Sequence, residues 1–386
     1  MPRARILNKV PRHAAIEVDL SAIIANTRAV LAACSGAEVC AVVKADGYGH
    51  GAVQVSQAAL KGGATWLAVA LVDEGVALRE AGISAPILLL SEPPPDAMAE
   101  AVAAGLTPSL YTAQGITAAR QAVRETSQGA WSVHLKIDTG MHRVGAHIAD
   151  ALSLAQAIHS ATELHLGGTF THFAVADDPG RAETAAQLEL FELFLEQLEA
   201  EKIDPGIIHA ANSAGVLAHL RAHRDLVRSG IAIYGLAPSV QLDSVVQLRP
   251  ALRLQSEVSM VKTVEVNSGV SYGLRHVFNY NALIAIVPLG YADGVDRRLG
   301  LLGAQVLIGG VRRPMRGVVT MDQLIVEVTE GPSVSVGDEV VLLGTQGDDE
   351  ITAQEWADLL DTITYEVVCG FSSRIPRRYV SSPQHS

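Results

Sequence analysis

The sequence predicts an α/β fold, a (β/α)8 TIM-like barrel followed by a C-terminal mostly-β domain. From residue 38 to about 235, short apolar runs alternate with helix-period segments. Strands that alternate with helices form parallel sheets through right-handed crossovers, and eight such units suggest a closed barrel. After about residue 240, runs of Val, Ile and Leu separated by turns replace the helical pattern, which predicts β-structure. We therefore predict a barrel over residues 14–240 and a β-domain over 241–386, which also includes residues 1–13.

The barrel elements are predicted from the spacing of the apolar runs. Candidate strands cover residues 38–43, 65–71, 86–90, 106–110, 132–138, 164–171, 206–210 and 225–233. Candidate helices include 21–33, 73–81, 96–104, 113–125, 149–160 and 182–202. Ser21 is the expected N-cap of the first helix. A doubly wound open sheet is the alternative, and it is disfavoured because no Gly-x-Gly-x-x-Gly fingerprint follows the first strand.

The second half of the chain is predicted to hold strands with a single helix. Apolar runs of strand type cover residues 252–266, 282–289, 304–308, 324–328 and 339–343. Residues 352–361 have a helical pattern instead, with Thr352 and Glu355 at the spacing of a capping box.

Composition excludes several classes of protein. A chain of 386 residues exceeds what one core usually fills, so two domains are expected. The net charge of -12 argues against a nucleic-acid partner, which needs an excess of Lys and Arg. The chain has no run of about 18 apolar residues, so no membrane span is predicted. The N-terminus lacks the pattern of a signal peptide. Three cysteines without a Cys-x-x-Cys pair are typical of a reducing compartment, so we expect a cytoplasmic protein.

Lys44 is the most informative single residue. It ends the apolar run 39–43 and is followed by the glycine-rich segment 45–51, which indicates a buried strand leading into a turn. Lysine is rarely buried without a partner. A desolvated amine attacks aldehydes to form a Schiff base, the linkage that holds pyridoxal phosphate (PLP). The alternative is a lysine whose stem packs while its ammonium reaches water.

Further chemical groups stand at or just beyond the ends of the predicted strands, where barrel active sites form. In chain order they are Tyr48, Lys136, Asp138, Arg143, His172, His209, Asn212, Ser213, Arg228, Gly230 and Ile231. The loops after strands seven and eight usually hold phosphate through backbone N–H groups and small hydroxyls, which suits Ser213 and Gly230. Each residue alone has a structural explanation, such as a satisfied core histidine or an ion-pair partner. Their joint occurrence favours a site, and the scattered histidines make a metal centre improbable.

Ordered motifs along nearly the whole chain resemble the bacterial alanine racemases. Residues 41–51 resemble the PLP-lysine signature of that family, and 136–143 and 171–174 resemble two further blocks. The remaining blocks are 209–214, 228–231, 234–235, 270–273, 290–294, 321–323 and 365–367. The resemblance implies a PLP barrel with a C-terminal β-domain, assembled as a head-to-tail homodimer with shared active sites. It implies racemisation of alanine, and the usual role of the family is to supply D-alanine for peptidoglycan.

The resemblance also implies roles for individual residues. Lys44 would bind PLP covalently and act as the base for D-alanine, while Tyr272 would be the base for L-alanine. A tyrosine base needs cationic neighbours, and His172 and Arg228 match the family residues beside it, with His209 behind Arg228. Cofactor contacts are implied for Tyr48, Arg143, Asn212, Ser213, Gly230, Ile231 and Tyr365. Tyr291, Met321 and Asp322 are similar to residues that line the substrate entrance, and Lys136 matches a position that is carbamylated in some members.

Small departures from the family pattern leave alternatives open. His142 lies where glycine is frequent, Ser229 where a larger apolar residue is frequent, and 316–320 is less typical. A broad-specificity, serine- or lysine-preferring racemase would differ only in pocket lining. A PLP-dependent decarboxylase would use acidic and cysteine groups, which Tyr272 and Arg228 do not supply. A non-catalytic PLP carrier on a lone barrel is disfavoured by the β-domain that carries Tyr272.

Overall fold

A computed structural model of the chain describes residues 12–34, 36–126 and 129–381, and these residues form two compact units. One unit is Asp19–Ala251. The other consists of residues 12–18 and Leu252–Val380. The predicted divisions were after residues 13 and 240, so the structure assigns residues 14–18 to the β-unit and 241–251 to the barrel unit. Residues 14–18 join the β-unit because they pair antiparallel with 252–256.

The barrel unit contains the eight parallel strands that the sequence predicts, which confirms the fold class. They are β1 (Glu38–Val42), β2 (Trp66–Val69), β3 (Ile87–Leu89), β4 (Thr107–Leu110), β5 (Trp131–Asp138), β6 (Leu164–Phe170), β7 (Ile207–His209) and β8 (Leu226–Ser229). They pair in the order β8-β1-β2-β3-β4-β5-β6-β7. Between β7 and β8, the N–H of Asp225 donates to Ile208 O at 3.0 Å and the N–H of Arg228 donates to Ala211 O at 2.9 Å, which nearly closes the barrel.

Helices alternate with these strands because each buries one apolar stripe. They span Leu20–Ala33, Ala52–Gly62, Val72–Glu80, Met98–Ala103, Ala113–Thr126, Ile148–His159, Glu183–Ala200 and Ser213–Ala218. In Ala113–Thr126 the buried residues include Ile116, Ala119 and Val123, at the spacing of one helix face. The first helix is capped by Asp19, whose Oδ1 accepts from the N–H of Ser21 at 2.8 Å, so the predicted N-cap at Ser21 was wrong. The helices Ala52–Gly62 and Ser213–Ala218 are not among those predicted.

The β-unit contains two main sheets, a short hairpin and a few helices. One sheet orders Val311–Pro314, Gln305–Ile308, Glu339–Gln346, Leu252–Glu257, Ala14–Asp19 and Arg377–Val380, with Asp349–Ile351 added beside Glu339–Gln346. The other orders Met260–Val264, Ala282–Val287 and Leu324–Glu327. The hairpin pairs Gly269–Val270 with His276–Val277. The predicted run 252–266 is two strands, because the chain passes from one sheet to the other at residues 258–259.

The helices of the β-unit are short. They span Leu299–Leu302, Ala353–Leu360 and Thr364–Cys369, so the prediction of a single helix was wrong, because helices of four and six residues are too short to show a helical period in the sequence. The capping box at the start of Ala353–Leu360 is confirmed, since Thr352 Oγ1 accepts from the N–H of Glu355 at 3.1 Å while the Glu355 carboxylate accepts from the N–H of Thr352 at 3.1 Å. Across the described residues of both units, no helix is both long and apolar enough to cross a membrane.

Candidate functional site

The charged groups predicted from the sequence lie at one rim of the barrel. Lys44 follows β1, Lys136 lies near the end of β5, His172 follows β6, His209 ends β7 and Arg228 lies in β8. All eight strands are parallel, so their carboxyl ends meet at the same rim, where barrel enzymes carry their active sites. The positive charges of Arg228 and Lys44 both lower the pKa of Lys136, as cations near an amine do.

Lys44 opens a turn of left-handed backbone. Ala45, Asp46, Gly47 and Tyr48 have φ values of 53°, 51°, 61° and 52°. Left-handed backbone costs about 1–2 kcal/mol at each non-glycine residue, so the surroundings must hold this turn in place. The strain therefore lies immediately after Lys44, where the backbone leaves the strand.

Glu74 supplies part of that support. Its Oε1 accepts from the N–H of Ala45 at 2.6 Å, and its Oε2 accepts from the N–H of Ala70 at 2.8 Å and of Leu71 at 3.1 Å. One carboxylate thus ties the loop after β1 to the loop after β2 and fixes the peptide that follows Lys44. Glu74 was not predicted from the sequence as part of the site. Its position in the first turn of Val72–Glu80 was the available signal, since carboxylates are favoured there.

Arg228 is buried in the centre of the rim. Its Nη2 donates to Thr171 O at 2.7 Å and Ala210 O at 3.0 Å, and it contacts His172 Nδ1 at 3.3 Å. Its Nη1 contacts His209 Nδ1 at 2.8 Å. Burial lowers the pKa of Arg228 to about 10, which still leaves the guanidinium charged near neutral pH. Within the described part of the chain, these hydrogen bonds use only the Nη atoms, so Nε is left for a ligand.

The histidines beside Arg228 are neutral. Burial is the main cause that lowers the pKa of both His172 and His209 well below 6.5, and the positive charge of Arg228 lowers it further. The sequence analysis grouped His172 with Arg228 as a cationic neighbour of the tyrosine base. In the structure Arg228 carries the charge and His172 does not, because two cations in contact repel each other.

Lys136 is buried beneath the rim. Its Nζ donates to Leu90 O at 2.8 Å and lies 5.3 Å from the centroid of the Phe170 ring. Burial, together with the charges of Arg228, Arg143 and Lys44, lowers the pKa of Lys136 to about 7. A large fraction of this amine is therefore uncharged near neutral pH.

A small cradle lies where the loops after β7 and β8 meet Tyr48. The N–H of Gly230 donates to Ser213 Oγ at 2.8 Å, so the Ser213 hydroxyl hydrogen can point elsewhere. A Cβ atom at Gly230 would lie 2.5 Å from Tyr48 Oη, so only glycine leaves the two groups room. Ile231 begins the 3-10 turn that follows Gly230. These groups are the hydroxyls and backbone amides that phosphate sites use.

Two residues predicted for the site, Asn212 and Asp138, accept hydrogen bonds from backbone N–H groups and shape the local backbone. Asn212 caps the helix Ser213–Ala218, and its Oδ1 accepts from the N–H of Gly215 at 2.9 Å. Asp138 Oδ1 accepts from the N–H groups of Gly140 at 3.0 Å and of His142 at 3.0 Å, which shapes the loop before the exposed Arg143.

The backbone of His142 accounts for the glycine that is frequent at this position in the family. His142 has a φ of 56°, a left-handed conformation in which glycine is the least strained residue.

Tyr272 lies at the tip of the hairpin in the β-unit. Ser271 on one side has a φ of 61°, and Gly273 and Leu274 on the other have 75° and 47°. Ser271 Oγ donates to Val318 O at 2.6 Å and anchors the tip. The Tyr272 side chain is 69% exposed. The structure therefore presents an exposed phenol on a loop with left-handed backbone on both sides of it.

The remaining predicted residues of the β-unit lie on two further loops. The N–H of Tyr291 donates to Thr320 O at 2.9 Å, which places Tyr291 beside the segment that carries Met321 and Asp322. Asp322 pairs with Arg374 at 2.6 Å, while Tyr291 and Met321 are exposed. Tyr365 lies in the first turn of Thr364–Cys369.

Comparisons with known proteins agree with the fold and the motifs. Residues 18–238 match the model of the alanine racemase N-terminal domain, and residues 251–379 match that of the C-terminal domain. An alanine racemase of Symbiobacterium thermophilum is 48% identical over 364 residues, which cover 94% of this chain and 96% of that protein.

Two solved structures have the same architecture. An alanine racemase from the D-cycloserine producer Streptomyces lavendulae superposes with a TM-score of 0.91 at 37% identity, covering 98% of this chain and 99% of that one. A histidine racemase from Leuconostoc mesenteroides subsp. sake superposes with a TM-score of 0.88 at 28% identity, covering 97% of this chain and 100% of that one.

Proposed function

This chain belongs to the alanine racemase family and is an amino-acid racemase, from which we propose that it interconverts L-alanine and D-alanine with PLP as its cofactor. The observation that carries the proposal is the gathering of Lys44, Lys136 and Arg228 at the carboxyl ends of parallel strands of one barrel, where Arg143 and Lys44 are further positive charges that lower the pKa of Lys136. Such an excess of positive charge suits an anionic ligand that reacts with an amine.

The residues present fit PLP, which combines an aldehyde, a phosphate and a pyridine ring. Lys44 supplies the amine for the aldehyde. Tyr48, Ser213 and the backbone of Gly230 supply the cradle for the phosphate, which a Cβ atom at Gly230 would obstruct. The Nε of Arg228 supplies a donor for the ring nitrogen. We assign Arg143 to the ring hydroxyl and Ile231 and Tyr365 to the phosphate, in keeping with the family.

Racemisation requires proton transfer on both faces of the substrate Cα atom. When bound, PLP supplies an electron sink that makes the Cα proton removable. Lys44 Nζ takes or returns the proton on one face, and Tyr272 Oη does so on the other. Arg228 is the positive charge that stabilises a nearby phenolate, while His172 fixes the guanidinium through Nδ1. We assign Tyr291, Met321 and Asp322 to the substrate entrance.

Arg228 also controls which reaction occurs. Its guanidinium keeps its own protons near neutral pH. It would therefore donate a hydrogen bond to the ring nitrogen of bound PLP without protonating it. A neutral ring withdraws fewer electrons than a pyridinium, which disfavours transamination.

We further propose that the enzyme is a homodimer in which Tyr272 of one copy serves the barrel rim of the other. Tyr272, Leu274, Val277 and Ile363 of the β-unit are 69%, 61%, 57% and 59% exposed. Large apolar side chains at this exposure indicate a surface that another protein covers. A second copy with a cationic rim and no phenolic base of its own is the partner that the chemistry requires.

The covalent role of Lys44 can be tested directly. Borohydride reduction of the PLP-loaded enzyme is expected to fix the cofactor on Lys44, because its amine forms the link that the reagent reduces. Peptide mass mapping identifies the modified lysine. Lys262 is the control, since it lies on a strand of the β-unit and should stay unmodified. Fixation on any other lysine, or none, would contradict the proposal.

Lys136 is a candidate for carbamylation. Its lowered pKa of about 7 provides a neutral amine, and Arg143 and Arg228 lie close enough to repel its charged form. Addition of CO2 to the amine gives a carbamate and releases one proton, and this replaces a repelled cation with an anion. The carbamate would attract Arg143 and orient it toward the cofactor.

We expect one carbamate carbon signal when the enzyme is placed in ¹³C-labelled bicarbonate. The signal should weaken as the pH falls below about 7, because the Lys136 amine then becomes protonated. Carbon NMR measures it. The signal should be absent from Lys136→Met and retained in Lys262→Met. Equal signals in both variants would show that the modification lies elsewhere.

Substrate breadth is a separate question, because the histidine racemase shares the architecture. A broader or shifted substrate range is therefore the second candidate function. Turnover of a panel of L-amino acids, histidine and serine included, distinguishes the two candidates.

We propose a cytoplasmic role in supplying D-alanine for peptidoglycan, in keeping with the family.

A further inference from the structure

A chain of hydrogen bonds continues from Arg228 into the interior of the barrel. Arg228 Nη1 contacts His209 Nδ1 at 2.8 Å, and His209 Nε2 contacts His134 Nδ1 at 2.9 Å. His134 lies on β5, His209 on β7 and Arg228 on β8. All three side chains are buried. His134 has no part in the site described above.

The direction of this chain follows from the chemistry of its first member. A guanidinium can only donate hydrogen bonds, so His209 Nδ1 must accept. A histidine that accepts at Nδ1 carries its proton on Nε2 when neutral. His209 Nε2 therefore donates to His134, and His134 Nδ1 must accept. His134 then carries its own proton on Nε2, and both rings are neutral.

The hydrogen bonds require His134 and His209 to be neutral, and the pKa values of both rings agree with this. Burial, and secondly the charge of Arg228, lower the pKa of His134 to about 3. The same two causes lower the pKa of His209. A proton added to either ring would remove an acceptor from the chain. The chain thus has a single favoured proton arrangement.

The position of His134 leaves one of its two ring nitrogens without a hydrogen bond among the described residues. Its Nε2 is buried and has no hydrogen-bond partner among the described residues. An unsatisfied buried N–H is unfavourable, because it has lost its hydrogen bond to water without gaining another. Its ring also lies directly over Gly168, where a Cβ atom would come within 2.6 Å of it. A position kept at such a cost indicates that the other nitrogen, Nδ1, has a use.

The His134 Nδ1 acceptor helps to fix which edge of the His209 ring faces Arg228. Phe170 stacks on the His209 ring with 4.5 Å between centroids and 8° between planes, so it fixes the plane of the ring. Stacking does not distinguish the ring from the same ring turned by half a rotation. After that rotation a C–H would face Arg228 Nη1. The Arg228 donor on one edge of the ring and the His134 Nδ1 acceptor on the other both favour the observed orientation, and His134 is the group that holds the edge remote from Arg228.

We propose that His134 is a positioning residue that holds His209 in the Nε2–H form and orientation, and through His209 holds the guanidinium of Arg228 toward the cofactor ring. This inference rests on the proposed function for its effect on catalysis. Its prediction about the two imidazoles holds in the protein without substrate.

The first test is independent of turnover. Nitrogen NMR of the PLP-loaded enzyme labelled with ¹⁵N-histidine should show Nδ1 unprotonated and Nε2 protonated in both His134 and His209. Single His→Asn variants assign the signals, and exposed His165 on β6 is the control. A protonated Nδ1 in either ring would overturn the proposal, whatever reaction the enzyme performs.

The second test compares two variants. His134→Leu removes the acceptor, and His134→Asn replaces it with an amide oxygen near the place of Nδ1. We expect kcat for alanine to fall about tenfold in the leucine variant, with little change in KM and a higher ratio of pyruvate to racemised alanine. The asparagine variant should recover most of kcat and the wild-type ratio. Equal losses in both variants, or an unchanged ratio in the leucine variant, would mean that His134 only fills space.

Discussion

Tyr272→Phe is expected to lower racemisation of alanine by about 10²–10⁴-fold while PLP stays bound. The phenol is the only acid or base proposed for its face of the substrate, and the variant loses nothing but that oxygen. The loss in kcat/KM should be equal in both directions, because the two enantiomers have the same free energy. PLP binding should persist, since the groups assigned to hold PLP, apart from Tyr365, lie on the barrel rim.

Initial rates from L- and D-alanine by chiral chromatography, with PLP content by absorbance, measure this effect. Tyr280→Phe is the matched control, since it removes a 44% exposed phenol of the β-unit whose hydroxyl donates to Glu327 Oε1 at 2.6 Å. Sedimentation of each variant checks that the assembly is unchanged. Full turnover by Tyr272→Phe would remove this residue from the mechanism.

Arg228→Glu is expected to slow racemisation by about 10²–10³-fold and to raise transamination. The guanidinium donates to Thr171 O and Ala210 O and contacts His209 Nδ1, and a carboxylate donates to none of them. A carboxyl group beside the ring nitrogen would favour its protonation. The stronger electron withdrawal would then permit formation of pyruvate and pyridoxamine phosphate.

Both products can be quantified after incubation with alanine. Arg228→Gln separates the loss of positive charge from the gain of an acid, and it should slow racemisation without the rise in pyruvate. Arg313→Gln tests whether losing any buried arginine has these effects, because Arg313 is buried in the β-unit and donates to Pro332 O at 2.8 Å. Absence of pyruvate and pyridoxamine phosphate from Arg228→Glu would refute the role given to Arg228.

Much of the fold was predictable because parallel strands leave a local pattern. A buried parallel strand is a short apolar run between helical segments, and all eight runs lie at barrel strands. The groups after each run were then predictable as neighbours, since parallel strands share a rim. The same logic found Lys44, Arg228 and Ser213 from their places in the chain.

The parts that escaped prediction depend on contacts between distant segments. Glu74 supports the peptide after Lys44 from the first turn of the helix that follows the next strand, and although that position favours a carboxylate, nothing local to residue 74 reveals Ala45 as its partner. His134 meets His209 across the barrel interior, and residue 134 reads locally as part of an apolar strand. Asp19 displaced Ser21 as the helix cap because its carboxylate reaches two backbone amides, whereas the Ser21 hydroxyl donates to that same carboxylate.

The most direct test of the account is proton NMR of alanine in heavy water with the PLP-loaded enzyme, followed by chiral analysis. We expect the Cα proton to exchange for deuterium and both enantiomers to form from either starting material. An extended panel with serine, lysine and histidine would rank the substrates. Retained Cα protons and unchanged handedness for every amino acid tested would contradict the proposal that this rim racemises amino acids.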